Sequence, residues 1–403
     1  MSRQMHPWGI PPWRVNFRPR TLDLLEPVDV AVVGGGFTGL SAAAWLQKLT
    51  PDRSVVVLEA SSLGEGASGR TGGLVLADTA AGPLPGLGDV LAGYREILRA
   101  LEVDARLELP GVFEIGRTSS GPADSASARK DSPIRWSDSG ELKVVREVPG
   151  GAVDPGRVVG GLARAAEKLG AQILENAHVE RLEFGSPLRL GVRRKSRGRV
   201  QRTEICADQV LLASNALSLE LLELRTAAQA KLTLALATAP LSAAQLKAIG
   251  LSSRRPFYTV DLPYLWGRLL ESNGAVFGAG LVPTPGSIGA LFGDSSGSRR
   301  RNVDAPNLYR FHVRRGEAAE GSRWLEARVH NLHPALKSVR ITHRWAGPIL
   351  FTQGMRPIFQ RHARSEKVMM LAGYNGHGVA LSVYLGKWAA EALLGQRSLP
   401  HWD

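Results

Sequence analysis

Residues 28–60, VDVAVVGGGFTGLSAAAWLQKLTPDRSVVVLEA, constrain the fold of this chain more than any other stretch. An apolar strand runs into Gly34, Gly36 and Gly39, a helix follows, and a second strand ends in Glu59. Gly34 permits the tight turn after the strand, Gly36 lets a pyrophosphate approach the backbone, and Gly39 lets the helix pack on the sheet. A diphosphate belongs at this helix N-terminus, where unpaired N–H groups and the helix dipole favour an anion. Glu59, 20 residues past Gly39, ends the second strand, where a carboxylate takes both hydroxyls of a ribose and repels a 2'-phosphate.

A glycine triplet alone is weak evidence in a chain with 45 glycines; the context makes this one specific. The first strand is nearly all apolar, as a parallel strand buried on both faces must be. Leu40, Ala43, Ala44 and Leu46 follow at helical spacing, and Pro51 and Asp52 turn the chain into the β-branched run Ser54 to Leu58.

At 403 residues the chain exceeds what one hydrophobic core supports, so two domains are expected. No run of 18 apolar residues exists to span a bilayer. The first twenty residues lack an apolar leader core, which points to the cytoplasm. One cysteine, Cys206, excludes an internal disulfide and a cysteine metal cluster; its strand-like setting reads as an inert buried thiol. The net charge of +13 raises the question of nucleic acid. Its densest runs, Arg193 to Arg199 and Ser298 to Arg301, lack the interleaved aromatics that stack bases, and read as solvated loops. The histidines show no metal-ligand spacing, so no metal site is expected.

Further along, the Gly/Ser-dense stretch 61–76 reads as a loop that lets something approach the backbone, and 117–140 as a polar surface excursion. Asp89 to Glu102 has helical spacing, and Gly111 to Gly116 reads as a strand. Asp154 and Pro155 start a helix that Gly170 closes; strands Gln172 to Leu174 and Val179 to Phe184 follow, then a hairpin through Gly198 returning as Ala207 to Ser214. Residues 226–335 hold the strand-like runs KLTLALATA, PFYTVDLPYLWGRLLES and GAVFGAGL, with a loop at 284–306 and helical spacing from Ser322 to His330. Near the end, Val368 to Leu371 run into Gly373, Gly376 and Gly378 and a helix opens at Val379, a second strand, glycine loop and helix N-terminus. The N-terminal PWGIPPW, with Trp8 and Trp13, is expected to wrap over the body rather than hang in solvent.

Taken in order, the first fingerprint, GASGRTGG, DPGRVVGGLARAAEKLGA, HVERLEF, ADQVLLASNA and GYNGHGV resemble the FAD-dependent amine and amino-acid oxidoreductases of the D-amino-acid oxidase-like superfamily. Within it the chain resembles the glycine/D-amino acid oxidase and gamma-glutamylputrescine oxidoreductase branch, from about Asp29 to Gly395. The resemblance implies an α/β fold: a Rossmann-like FAD-binding domain with a second α+β substrate domain built on an antiparallel sheet. The expected division is an N-terminal extension over 1–27, a discontinuous FAD-binding domain over 28–76, 150–225 and 336–403, and a substrate domain over 77–149 and 226–335.

The same resemblance implies non-covalent FAD, with no histidine or cysteine at a matching attachment point. Gly34, Gly36, Phe37, Thr38 and Gly39 would hold its diphosphate, and Glu59 and Ala60 its adenosine ribose. Ser68, Gly69, Arg70, Thr71, Gly72 and Gly73 match the loop beside the flavin, and Val179 the position whose backbone meets the adenine. Gly347, Gly373, Asn375, Gly376, His377, Gly378 and Val379 match the segments facing the flavin pyrimidine end. Thr71 stands where the branch usually has Asn, and TQGMRP, Thr352 to Pro357, replaces a T-x-D-x-x-P pattern.

In this class the flavin takes a hydride at N5 from the carbon beside an amine nitrogen, the imine hydrolyses, and dioxygen or another acceptor reoxidises the flavin. A strong protein base is not required, and no paired carboxylates stand out in the sequence. Candidates for the substrate wall are Tyr258, Tyr264 and Trp266; Arg356 is a candidate for a substrate carboxylate, and His377 for contact with cofactor or substrate. Three readings stay open: an amine or amino-acid oxidase using dioxygen, a dehydrogenase subunit passing electrons to a partner acceptor, and a non-catalytic FAD-binding or nucleic-acid-associated protein.

Overall fold

The computed structural model describes residues 6–20, 27–117, 132–196, 199–217, 221, 223, 228–261, 263–282, 308 and 311–402. The Gly198 turn, the SRRR run, the loop at 284–306 and residues 118–131 of the polar excursion lie outside the described residues.

Val28–Val33 is the centre of the first sheet. It pairs in parallel with Val55–Leu58 on one side and with Arg199–Leu212 on the other. Gln172–Leu174 and Ser365–Ala372 extend the sheet outward in parallel, and Ile358–His362 closes one edge antiparallel. Because both faces are covered, Val30, Ala31 and Val32 have no exposed surface, which is why the strand carries no polar alternation. Over one face lie the helices Phe37–Leu49, Val90–Ala100, Pro155–Leu169 and Gly378–Leu393, sharing a core that includes Leu40, Tyr94, Val158 and Leu385. Local chemistry sets their ends. The Asp154 side chain accepts from Arg157 N at 3.0 Å, Pro155 occupies the first turn, and Gly170 closes the helix at φ +120°.

Arg199–Leu212 does two jobs in one strand. Its first part forms an antiparallel meander with Leu188–Ser196, which in turn pairs with Ala177–Glu183; its second part joins the parallel sheet. Cys206 lies in the meander and is half-buried, more open than the buried thiol expected from sequence.

The second sheet runs in the order Ile341–Thr352, Ala228–Pro240, Gly274–Val282, Leu265–Leu269, Phe257–Thr259, Val112–Arg117, Glu141–Val148, Arg135–Ser137. It is antiparallel except where Phe257–Thr259 pairs in parallel with Val112–Arg117. PFYTVDLPYLWGRLLES is thus two short strands of a hairpin, Phe257–Thr259 and Leu265–Leu269. Ile341–Thr352 falls within the 336–403 stretch assigned from sequence to the nucleotide-binding part, yet it pairs along nearly its whole length with Ala228–Pro240 in the second sheet. The chain returns to the first sheet only at Ile358. The inner face of this sheet, with Phe257, Phe277, Leu234 and Trp136, shares a core with the meander side of the first sheet.

The N-terminal segment is packed against this body. Trp8 and Trp13 are buried, Trp8 Nε1 donates to the Leu308 carbonyl at 2.8 Å, and Trp13 Nε1 donates to the Gly69 carbonyl at 2.7 Å. Further along, Arg164 donates to the Asn16 carbonyl, so the segment spans from the second sheet to the helix Pro155–Leu169. No helix among the described residues is long and apolar enough to cross a membrane.

Candidate functional site

The first glycine loop has little room for any other residue. A Cβ on Gly39 would fall 2.0 Å from the Gly34 carbonyl oxygen, and one on Gly34, at φ +112°, would fall 2.8 Å from the Ala213 carbonyl oxygen. Gly36 differs: a Cβ there would meet only the Ser68 side chain, at 2.9 Å to Oγ. Gly36 is the N-cap of Phe37–Leu49 and contributes no side-chain cap, while Phe37 N donates to Ser68 Oγ at 2.9 Å. The Glu59 carboxylate accepts from Gly35 N and from Ser61 N, both at 2.9 Å. Burial pushes its pKa up, against the pull of those two amides. Ala177 N donates to the Glu59 carbonyl, which sets the strand carrying buried Val179 beside the Glu59–Ala60 corner.

The second glycine loop stands next to the first. Thr38 Oγ1 and Tyr374 OH are 2.6 Å apart, Ser41 Oγ donates to the Val383 carbonyl, and Gly386 lies so close that a Cβ there would be 2.6 Å from the Thr38 carbonyl oxygen. The helices Phe37–Leu49 and Gly378–Leu393 therefore pack tightly with both glycine loops at their N-termini. His377 is the N-cap of the later helix, again with no side-chain cap. Asn375 holds the loop: its Oδ1 accepts from Thr352 N at 2.8 Å and its Nδ2 donates to the Gly373 carbonyl at 2.6 Å. Gly376, at φ +89°, has nothing within 4 Å of an added Cβ. His377 is half-buried, and burial lowers its pKa, leaving a neutral imidazole.

Against these loops stands the outer face of the second sheet. The register aligns Trp345, Ala235, Gly278, Trp266, Tyr258, Glu114 and Arg146 in one row across seven strands. Trp266 lies against bare backbone on two sides: a Cβ on Gly72 would fall 2.1 Å from its ring, and one on Gly278 2.0 Å from it. Arg268, also on this face, donates from Nε to the Gly72 carbonyl at 2.5 Å, and Trp345 Nε1 donates to the Arg70 carbonyl at 2.9 Å. Farther along the row, Tyr258 OH donates to Glu114 Oε2 at 2.8 Å and Arg146 donates to the same oxygen at 2.7 Å. Burial and the Glu114 carboxylate push the Tyr258 phenol well above its ordinary range.

A family model described as FAD dependent oxidoreductase matches residues 29–392. The chain belongs to this family. The probable oxidoreductase OrdL of Rhizobium meliloti is 27% identical over 91% of this chain and 83% of its own length. The gamma-glutamylputrescine oxidoreductase of Escherichia coli is 26% identical over 95% of this chain and 89% of its own. Among solved structures, glycine oxidase from Geobacillus kaustophilus superposes with a TM-score of 0.66 at 18% identity, covering 94% of this chain and 97% of that one. The shared architecture is that of FAD enzymes with a Rossmann-like nucleotide-binding domain.

The residues of this flavoenzyme fit FAD. Two uncapped helix N-termini lie side by side, Gly36 and Gly376 leave space where a side chain would otherwise stand, and Ser214 Oγ, beside the Gly34 turn, is buried with no hydrogen-bond partner among the described residues. Glu59 has lone pairs left for ribose hydroxyls after its two amides are counted.

Not every residue singled out by sequence faces this space. Arg70 is buried and donates to the carbonyls of Glu65 and Gly9, so its guanidinium serves the packing of the N-terminal segment. Gly347 packs on it, with an added Cβ 3.2 Å from the Arg70 Cβ. Thr71 and Gly73 stay in the loop, where the Thr71 hydroxyl accepts from Gly73 N at 3.4 Å. Arg356 is turned away: it is exposed and donates to the Trp402 carbonyl at 2.6 Å, because the C-terminal tail passes that side. Tyr264 is 55% exposed at the entrance to its strand, and its carbonyl accepts from Arg328. Trp266, Tyr258 and His377 remain. Asp78, Glu114 and Arg146 are additions the sequence reading missed; the Asp78 carboxylate acts electrostatically on Tyr258, Arg146 and His377 together. Glu114 alternates with apolar Phe113 and Ile115, a period-two signal that places it on the face opposite the core but does not say what that face meets. Among the described residues no group of three or more His, Cys, Asp or Glu could hold a metal ion.

Proposed function

We propose that this flavoenzyme oxidises the C–N bond of an amine or amino acid to an imine, which water then hydrolyses. FAD, when bound, supplies the hydride acceptor at N5 and hands the electrons on to dioxygen. The observation that carries the reading is the placement of Trp266 and Tyr258: a sheet face lies on the Gly72 backbone beside two uncapped helix N-termini. Such a wall excludes water and orients a small substrate, which is what hydride transfer needs from the protein. The positive helix ends favour the negative charge of a reduced cofactor, and neutral His377 adds no opposing charge. We further propose non-covalent binding: Cys206 sits six residues before Leu212 on a strand whose far end meets the Gly34 turn, about 20 Å along.

The relatives support the substrate class, since one is a gamma-glutamylputrescine oxidoreductase and a similar fold is a glycine oxidase. A dehydrogenase passing electrons to a partner acceptor is the second reading, favoured by the similar fold of L-proline dehydrogenase from P. horikoshii, with a TM-score of 0.63 at 17% identity. A nucleic-acid role draws little support. Four arginines of the basic meander are already paired, Arg193 and Arg202 with Glu180, and Arg181 and Arg189 with Glu204.

The test is an anaerobic flavin-bleaching screen with amines, N-methyl amino acids and D-amino acids, followed by air. Bleaching by one class supports amine oxidation, and prompt recolouring with peroxide supports the oxidase over the dehydrogenase. No bleaching by any member would refute the catalytic reading.

A further inference from the structure

Glu114 is only 9% exposed, yet it uses one of its two carboxylate oxygens. Tyr258 OH and Arg146 both donate to Oε2, and among the described residues no donor is bonded to Oε1. Oε1 is not fully buried, so it stays open to a donor from the space in front of the wall. The arrangement is also rigid. Tyr258 and Glu114 are register partners on adjacent strands, as are Glu114 and Arg146, so the fork is fixed by the sheet and not by flexible side chains. Trp266 comes next in the row and touches Gly72 of the loop beside the cofactor. Asp78 adds a second carboxylate and has no hydrogen bond or ion pair among the described residues; its field reaches Tyr258, Arg146 and His377. Two carboxylates against one guanidinium leave this end of the wall net negative. The arginines a substrate carboxylate could have used, Arg70, Arg268 and Arg356, donate to backbone carbonyls.

Resting on the amine-oxidation reading, we propose that Glu114 is a specificity-determining residue whose free Oε1 accepts a hydrogen bond from an ammonium group on the substrate, remote from the nitrogen being oxidised. The substrate class is then a diamine or an amine with a second, cationic nitrogen. Tyr258 acts as a positioning residue that, with Arg146, holds the carboxylate by its other oxygen. Trp266 covers the alkyl stretch between the two nitrogens.

The experiment compares an α,ω-diaminoalkane with the n-alkylamine of the same length, on the FAD-loaded wild type and on Glu114→Gln, by steady-state kinetics and by calorimetric binding under anaerobic conditions. Glu114→Gln keeps shape and one acceptor but loses the charge. It should raise KM and Kd for the diamine roughly 10- to 100-fold, the range of a charge-assisted hydrogen bond, and leave those for the monoamine within about twofold. Tyr258→Phe should reproduce part of that selectivity loss, read as the ratio of diamine to monoamine Kd. Arg146→Gln, at an exposed side chain, should lower or preserve the diamine Kd. Equal losses for both amines in Glu114→Gln, or no change for either, would overturn the proposal while leaving amine oxidation standing. If neither amine bleaches the flavin but the diamine binds in a Glu114-dependent way, the ammonium site stands and the catalytic reading falls.

Discussion

The two glycine loops carry similar residues for different reasons. In the loop at Gly34–Gly39, Gly34 and Gly39 are demanded by the protein itself, because an added Cβ would overlap backbone oxygens at 2.8 and 2.0 Å. In the loop at Gly373–Gly378, Gly376 faces open space and is required only by its left-handed φ of +89°, while a Cβ on Gly373 would strike the Thr352 methyl at 2.3 Å, a side chain that can move. The first loop is a joint between strand and helix that also fits a phosphate. The second is a wall whose Gly376 faces open space, tied down by Asn375. Similar spacing in sequence thus conceals a steric necessity in one place and an open surface in the other.

This contrast breaks most readily at Gly39. Gly39→Ala should destabilise the protein by about 3 kcal/mol or more, since the overlap is with backbone that no rotamer change relieves, and should yield protein without bound flavin. Gly376→Ala should cost only about 1 kcal/mol, the strain of a left-handed alanine, and keep its FAD while altering the rate of flavin reduction. Thermal denaturation and flavin content of the two variants decide the matter; equal losses would abolish the distinction.

Glu59→Gln should leave the fold intact and weaken FAD roughly tenfold, as expected for losing charge-assisted bonds to a ribose, read by titration of the apoprotein. The loops also differ in the sign of their pH response. The folded-state pKa of Glu59 is raised by burial, so its ionisation opposes folding as pH rises through that value. The folded-state pKa of His377 is lowered by burial, so its contribution is present above the ordinary value of 6.5 and is lost as pH falls from there through the lower folded value. His377→Asn should therefore flatten the acid-side fall of Tm below pH 6.5 without moving the neutral plateau. The smallest effect is expected at Arg356→Ala, within about 0.5 kcal/mol in stability and about twofold in KM, because its side chain is exposed and reaches the C-terminal tail. A large rise in KM for carboxylate-bearing substrates would restore Arg356 to the site.

Much of the nucleotide-binding half was legible because its determinants are local. A buried parallel strand announces itself as VDVAVV, a helix start as Asp154-Pro155, and a turn as glycines at fixed offsets; each is decided by a few neighbouring residues. Both glycine loops were found this way. The substrate wall was less legible. Tyr258 and Trp266 could be proposed as sheet aromatics, but Tyr264, only two residues before Trp266, is left exposed, and Arg356 is drawn off by Trp402, a residue 46 positions later.

The sequence by itself determined the strand–loop–helix units, the place of Glu59 at the end of the second strand, and the burial of Trp8 and Trp13. Only the tertiary structure decided which distant strands lie side by side, and with that the row in which Glu114, Tyr258 and Trp266 meet. Those residues come from two stretches more than 140 positions apart, brought together by a parallel strand pairing that leaves no mark in either stretch. Local patterns specify which face of a strand is buried. Register between remote strands is set by the packing of the whole sheet, and it is register that put the Glu114 carboxylate, with one oxygen to spare, in the same row as Tyr258 and Trp266.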